Sequence, residues 1–481
     1  MQAEQTNQAP RFWRSSLCYL LGSTLSKLAV FFMLPVYTAR IPSADMGTYD
    51  TAVAVAILVS SVLFLDIGVG LMRFMLEEKG AGEDASRVLA SGLFLMFLSG
   101  FLYAGGCGVA AFFLEIPYYP LIVLYGLLNA VMMALGYVAR AEGHHAFFAL
   151  SGAVSTLLQV AVNLVLILGL GMGYQSLYVA FCIGAGVCIL MLALRCRVFS
   201  VCRWRLVSSA TCRRLLAFCL PLGLNSAAFW LLNSLNRVLV TACLGAEANG
   251  YYAVSLKFTQ ILVFVSTCFQ FAWQEVSFAK GFDEGAESCR YYSEKTDLFL
   301  RIFMAILLLL LPAIRVGLWL FPGFIHDSYA EAVRLLPLAF FGAFLSVFSS
   351  FLDPIFGAAR KTGVILFSTL AGALINVTVI LTLFRLGFGV EAANIAFLCG
   401  WAVTVTIRLI VLCRGARLRL RLWHLLWFLP LAALVALAFS HLAPVWNAAV
   451  LLGMLPIAVA VLLPELRLMH RALSSKLRKR Q

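Results

Sequence analysis

From Ser15 to Leu463 long apolar runs follow one another, separated by short polar connections and by no long polar block. A helix needs about 20 apolar residues to cross a hydrocarbon layer of about 30 Å. On that measure the pattern predicts spans near 15–38, 50–72, 88–113, 119–139, 147–170 and 175–195. A second set follows near 215–241, 251–274, 298–321, 334–358, 362–384 and 390–413, with a last pair near 422–441 and 445–464. The expected fold class is an all-α polytopic membrane protein with about fourteen transmembrane helices. The run at 15–38 is longer than a signal-peptide core of about 7–15 residues and ends without a small-residue cleavage site, so it counts as the first span.

Charge sharpens this topology. Only 12% of the 481 residues are charged and 62% are hydrophobic, against about 25% charged in an ordinary soluble domain. The net charge of +14 raises the question of nucleic acid, and the placement of the charges answers it. With Arg11 and Arg14 on the cytoplasmic side, the inner connections hold 28 of the 36 Lys and Arg. The outer ones hold Arg40, Arg237, Arg334 and Arg385, while Lys27, Lys257, Arg315 and Arg408 lie within spans. This is the positive-inside pattern. It accounts for the basicity with both termini cytoplasmic and no nucleic-acid partner, and no soluble basic domain with interleaved aromatics is present.

An internal repeat divides the spans. Thr38-Ala39, Ile41, Gly47 and Tyr49 match Thr241-Ala242, Leu244, Gly250 and Tyr252 at a constant offset. Further on, Asn163 matches Asn376, and Gly171, Gly173, Val179-Ala180-Phe181 and Gly184 match Gly387, Gly389, Ile395-Ala396-Phe397 and Gly400. The expected organisation is a cytoplasmic N-terminus (1–14), a six-helix bundle (15–195), a basic linker (196–214), a second six-helix bundle (215–414), a terminal helix pair (415–464) and a basic tail (465–481). Six is even, so the repeats insert in the same sense, related by an axis along the membrane normal. A cleft between such halves gives alternating access by rocking. In the tail, Leu466, Met469, Leu473 and Leu477 share one helical face, which suits either a helix lying on an anionic leaflet or a simple topological anchor.

Charges inside spans are costly and point to function. Lys27 sits near the middle of the first span, with Ser23 a turn earlier and Ser26 beside it. Lys257 heads a helical face that includes Gln260, and Arg237 follows Asn225 and Asn233 in the seventh span. These three cations are expected to face the cleft and bind an anionic, hydroxyl-rich substrate, with an ion pair that locks packing as the alternative. Asp66 and Asp353 are placed either to pair with such a cation or to carry a coupling proton. Arg73, Arg315 and Arg408 lie near span ends, where snorkelling suffices. Asn163 and Asn376 are expected to bond between helices, and Pro35, Pro221 and Pro354 to interrupt them. The thirteen cysteines show no CxxC and no Cys/His cluster, so neither a disulfide, a metal nor any other cofactor is expected. Cys196, Cys202 and Cys212 are read as reduced bystanders.

Several segments resemble the Wzx-type polysaccharide and oligosaccharide flippases of the multidrug/oligosaccharidyl-lipid/polysaccharide exporter superfamily. They are SKLAVFFMLPVYTARIPSADMGTYD with Pro35 and Gly47, LDIGVGLMRFMLEE with Gly68 and Arg73, FQFAWQEVSFAK, ARKTG, and GFGVEAANIAFLCG. The resemblance implies a flippase of the bacterial inner membrane. Its substrate would be an undecaprenyl-pyrophosphate-linked saccharide of O-antigen, lipopolysaccharide or exopolysaccharide biosynthesis, with membrane lipids, a polymerase and glycosyltransferases as partners. Glu275 stands where the family often has proline. The alternatives are a drug or cation antiporter of the same superfamily and a non-transporting subunit of an export complex. An enzyme is not expected, since the outer connections of about ten residues or fewer leave no room for a catalytic loop.

Overall fold

The computed structural model describes residues 31–80, 85–113, 115–201, 204–280, 285–359, 361, 363–415 and 424–478. Every regular element among them is helical. The larger elements are α1 (Leu34–Arg40), α2 (Ser43–Phe64), α3 (Ile67–Gly80), α4 (Ser86–Ala110), α5 (Tyr119–Ala141), α6 (His145–Leu164) and α7 (Gln175–Arg195). They continue with α8 (Ser209–Leu244), α9 (Ala246–Lys280), α10 (Ala286–Leu320), α11 (Leu336–Ala358), α12 (Gly363–Arg385), α13 (Glu391–Gly415), α14 (His424–His441) and α15 (Pro444–Arg478).

Eleven of the described helices are long and apolar enough to cross a bilayer, and Leu426–His441 is a shorter apolar one. The chain is a polytopic, all-helical membrane protein. The shortfall from about fourteen has local reasons. Most of the first expected span, with Lys27, Ser23 and Ser26, lies outside the described residues, and α9, which carries Lys257, Gln260, Gln270 and Gln274, is not among the eleven.

The chain forms two compact units, Met1–Ala253 and Val254–Gln481. The first unit includes α8, packed on α2, α3 and α4. Small residues allow that approach: a Cβ at Gly223 would strike Leu65, and one at Gly70 would strike Cys219. Ser208 caps α8 by accepting from the Thr211 amide at 3.5 Å, which satisfies one orphan donor of the first turn. The unit's core runs through Phe64, Ile67, Leu71, Leu89, Val138 and Leu192.

In the second unit α10 packs against α11, α14 and α15, so the terminal pair belongs to this unit. Its centre is aromatic. Phe299 stacks on Phe351 at 4.1 Å and on Phe303 at 4.3 Å, and Trp273 stacks on Phe351 at 4.8 Å while its indole N–H donates to the Phe351 carbonyl at 3.0 Å. Such pairs add roughly 0.5–1.5 kcal/mol each beyond area burial. The indole bond removes the cost of burying a polar N–H.

Candidate functional site

The first site is a polar seam inside the first unit, where α2 meets α8 and the start of α9. Its fixed point is a reciprocal backbone contact. A Cβ on Gly47 would collide with the Ala246 carbonyl, and one on Gly250 would collide with the Ser43 carbonyl. Ser43 and Ala246 stand at the same offset as Gly47 and Gly250, so the repeat meets its own copy, as in an isologous dimer contact. Around it Asn249, fully buried, donates to the Gly47 carbonyl and to Thr51 Oγ1, both at 2.9 Å. The hydroxyls of Thr51 and Thr241 are 2.5 Å apart. Arg237 Nη1 lies 3.2 Å from Asp50 Oδ1, and Trp230 donates to the Ala54 carbonyl at 2.9 Å. Tyr49 packs on Tyr178 beside this pair, and Tyr125 stacks on Phe181 at 3.8 Å.

Further along the same seam α2 breaks. Leu65 and Asp66 take φ of 47° and 52°, a left-handed backbone that costs an L side chain about 1–2 kcal/mol. The Leu65 amide closes on Ser61, and the next closures, from Val69 and Gly70, fall on the Asp66 carbonyl. A helix end leaves its last carbonyls without intrahelical donors and carries the negative end of the dipole. The Asp66 carboxylate at this break accepts from the Ser226 hydroxyl of α8, and the Cys219 thiol reaches the Asp66 carbonyl at 3.9 Å. Its position follows from α8. Arg214 pairs with Glu77 at 2.8 Å, and Ser226 lies about 18 Å farther along the helix at 1.5 Å per residue. Asp66, half-buried, therefore lies about that far from the Arg214–Glu77 pair along α8. Among the described residues no Lys or Arg pairs with it.

The second unit holds a deeply buried cation. Arg408 of α13 is 2% exposed. Its Nη1 meets Asp353 Oδ1 at 2.7 Å, the Ser349 carbonyl at 2.8 Å and Ser349 Oγ at 2.7 Å. Nε donates to Ser368 Oγ at 3.0 Å and Nη2 to Thr369 Oγ1 at 3.3 Å. Snorkelling from a span end does not describe this residue. Its oxygen partners come from α11 and α12 and hold it inside the unit.

The other expected site residues are divided between the two units. Arg237, expected either to bind an anion or to form an ion pair that locks packing, pairs with Asp50. Lys257 is half-buried on α9 and Gln260 is exposed. Asn225 and Asn233 are half-buried, and Asn233 turns its amide back onto the Phe229 carbonyl at 2.8 Å. Asn163 donates to the Tyr37 hydroxyl at 3.2 Å, bonding between helices. Asp50, Asn249 and the break at Leu65-Asp66 were not singled out from sequence, although Gly47 and Gly250 in the repeat mark where they lie. Outside the spans, burial and the neighbouring Glu142 push the Cys196 thiol up to about 12.

No protein-family model matches the chain, and no curated protein matches it. Solved structures do. An inward-facing conformation of a multidrug resistance MATE family transporter of the MOP superfamily aligns with a TM-score of 0.56 at 15% identity, covering 84% of this chain and 98% of that one. An outward-facing conformation of such a transporter gives 0.55 at 15%, covering 87% and 95%. The Vibrio cholerae MATE transporter VcmN in its bent form gives 0.55 at 14%, covering 86% and 98%. At this identity the likeness is one of fold.

Proposed function

We propose that this chain is a secondary transporter of the MOP type that exports its substrate by alternating access in exchange for protons or small cations. The observation that carries the proposal is Asp66: a half-buried carboxylate at a broken helix, bound to the Ser226 hydroxyl and to no described Lys or Arg. Discontinuous helices of this kind bring free carbonyls and a negative dipole end to coupling-ion sites in transporters. The seam of Gly47, Gly250, Asp50 and Arg237 would then be the closure that opens and reseals in each cycle.

The cargo that fits best is an amphipathic organic cation. Among the described residues, Arg237 and Arg408 are each paired with a carboxylate, so neither is free to hold a pyrophosphate. The solved neighbours described as multidrug resistance transporters favour a drug-like cargo over a lipid-linked saccharide. A lipid-linked saccharide is the second candidate, favoured by the Wzx-like segments around Gly47 and Gly68. Liposomes holding the purified chain separate the two: a pH gradient should drive movement of a cationic dye, with no flip of an undecaprenyl-pyrophosphate saccharide. Saccharide flipping without dye movement would reverse the assignment.

A further inference from the structure

The oxygens around Arg408 are arranged as a receptor for a cation. Ser368 and Thr369 both donate their hydroxyl protons to the Ile365 carbonyl, at 3.0 and 2.8 Å. Their free lone pairs are thereby turned toward the guanidinium. Ser349 adds a carbonyl and a hydroxyl from α11, and Asp353 adds a carboxylate oxygen one turn later. Ser349, Ser368 and Thr369 are all buried to 2% exposure or less. Every nitrogen of the guanidinium finds at least one oxygen, which is the planar, many-donor match that distinguishes Arg from Lys.

We propose that these oxygens form a guanidinium-shaped cage permanently filled by Arg408, so that the second unit carries its own tethered cation and takes up no exchangeable one at Asp353. The cage rests on its own geometry. Its consequence, that ion exchange is left to Asp66, rests on the transporter proposed above.

Removing the side chain tests the cage directly. Full-length Arg408→Ala should melt below the wild type in detergent, and millimolar guanidinium chloride should raise its Tm saturably, as a ligand that binds only the folded state does. The same additions should leave the wild-type Tm unchanged or lower it. Sodium chloride at equal ionic strength should not reproduce the rise. A Tm that guanidinium never raises, or that sodium chloride raises equally, would overturn the cage. Should Arg408→Ala not fold, Asp353→Asn decides: reconstituted transport should keep the pH profile of the wild type and need no sodium, whatever its rate, and a displaced profile or a new sodium requirement counts against the tethered cation. Failure of transport in every variant and in the wild type would remove the transporter assignment while leaving the thermal result standing.

Discussion

At the scale of single residues, what decides function here is which charges are already spent. Arg237 is held by Asp50 with side chains 25% and 13% exposed. Such a partly buried pair differs from a surface one, because removing one partner strands the other charge in a poor solvent. Asp50→Ala and Arg237→Ala should each lower stability, by up to about 3–5 kcal/mol in the buried limit, and the double variant should lose less than the two together. Thermal melts of the four proteins measure that coupling. Cysteine chemistry offers a second check. A thiol pushed up to about 12 is almost wholly protonated near pH 8, and the thiolate is the nucleophile. Cys196 should therefore resist maleimide at pH 8 in the folded protein while exposed Cys243 reacts, as mass spectrometry of the labelled peptides would report.

At the scale of elements, the seam depends on glycines that the repeat had already marked. Gly47→Ala and Gly250→Ala each drive a methyl group into a backbone carbonyl, and overpacking of this kind costs about 1–3 kcal/mol. Gly105→Ala, Gly106→Ala and Gly108→Ala on α4 meet open space and should be neutral or stabilising by about 0.5–1 kcal/mol. The contrast, read from melting curves, separates tight approach from mere flexibility. Motion has its own test. Thr51→Cys with Thr241→Cys places two sulfurs where hydroxyls now touch, within reach of a 2.05 Å bond. Oxidation should arrest transport and reduction restore it; transport that continues through an intact crosslink would show that this seam never opens.

The repeat, the helical class and most span positions were legible in the sequence because they are written in local apolar periodicity and in glycines whose lack of a side chain matters. The pairings were not. Asp50 with Arg237, and Arg408 with Asp353, Ser349 and Ser368, join residues far apart in the chain whose meeting depends on how helices rotate, and nothing in one span's pattern fixes that rotation. The break at Leu65-Asp66 was hidden for another reason: neither residue is a glycine or proline, so the left-handed turn is imposed by packing against α8 and not by local preference. The placement of Arg408 near a span end suggested an exit to water, and only the buried oxygens of α11 and α12 explain why it stays.

For the whole molecule, the likeness to the MATE structures is one of fold, and the paired arginines together with Asp66 support the proposed export of substrate in exchange for a small cation. In the transporter proposed above, Asp66, which pairs with no described Lys or Arg, is the carboxylate that takes the coupling ion. The most direct test places wild type and Asp66→Asn, each shown folded by its melting curve, in liposomes with an imposed proton gradient and follows a fluorescent organic cation. The wild type should move the dye only while the gradient lasts, and Asp66→Asn should match empty liposomes. A folded wild type that moves no dye under the gradient, or an Asp66→Asn chain that moves it with undiminished gradient dependence, would contradict the proposal.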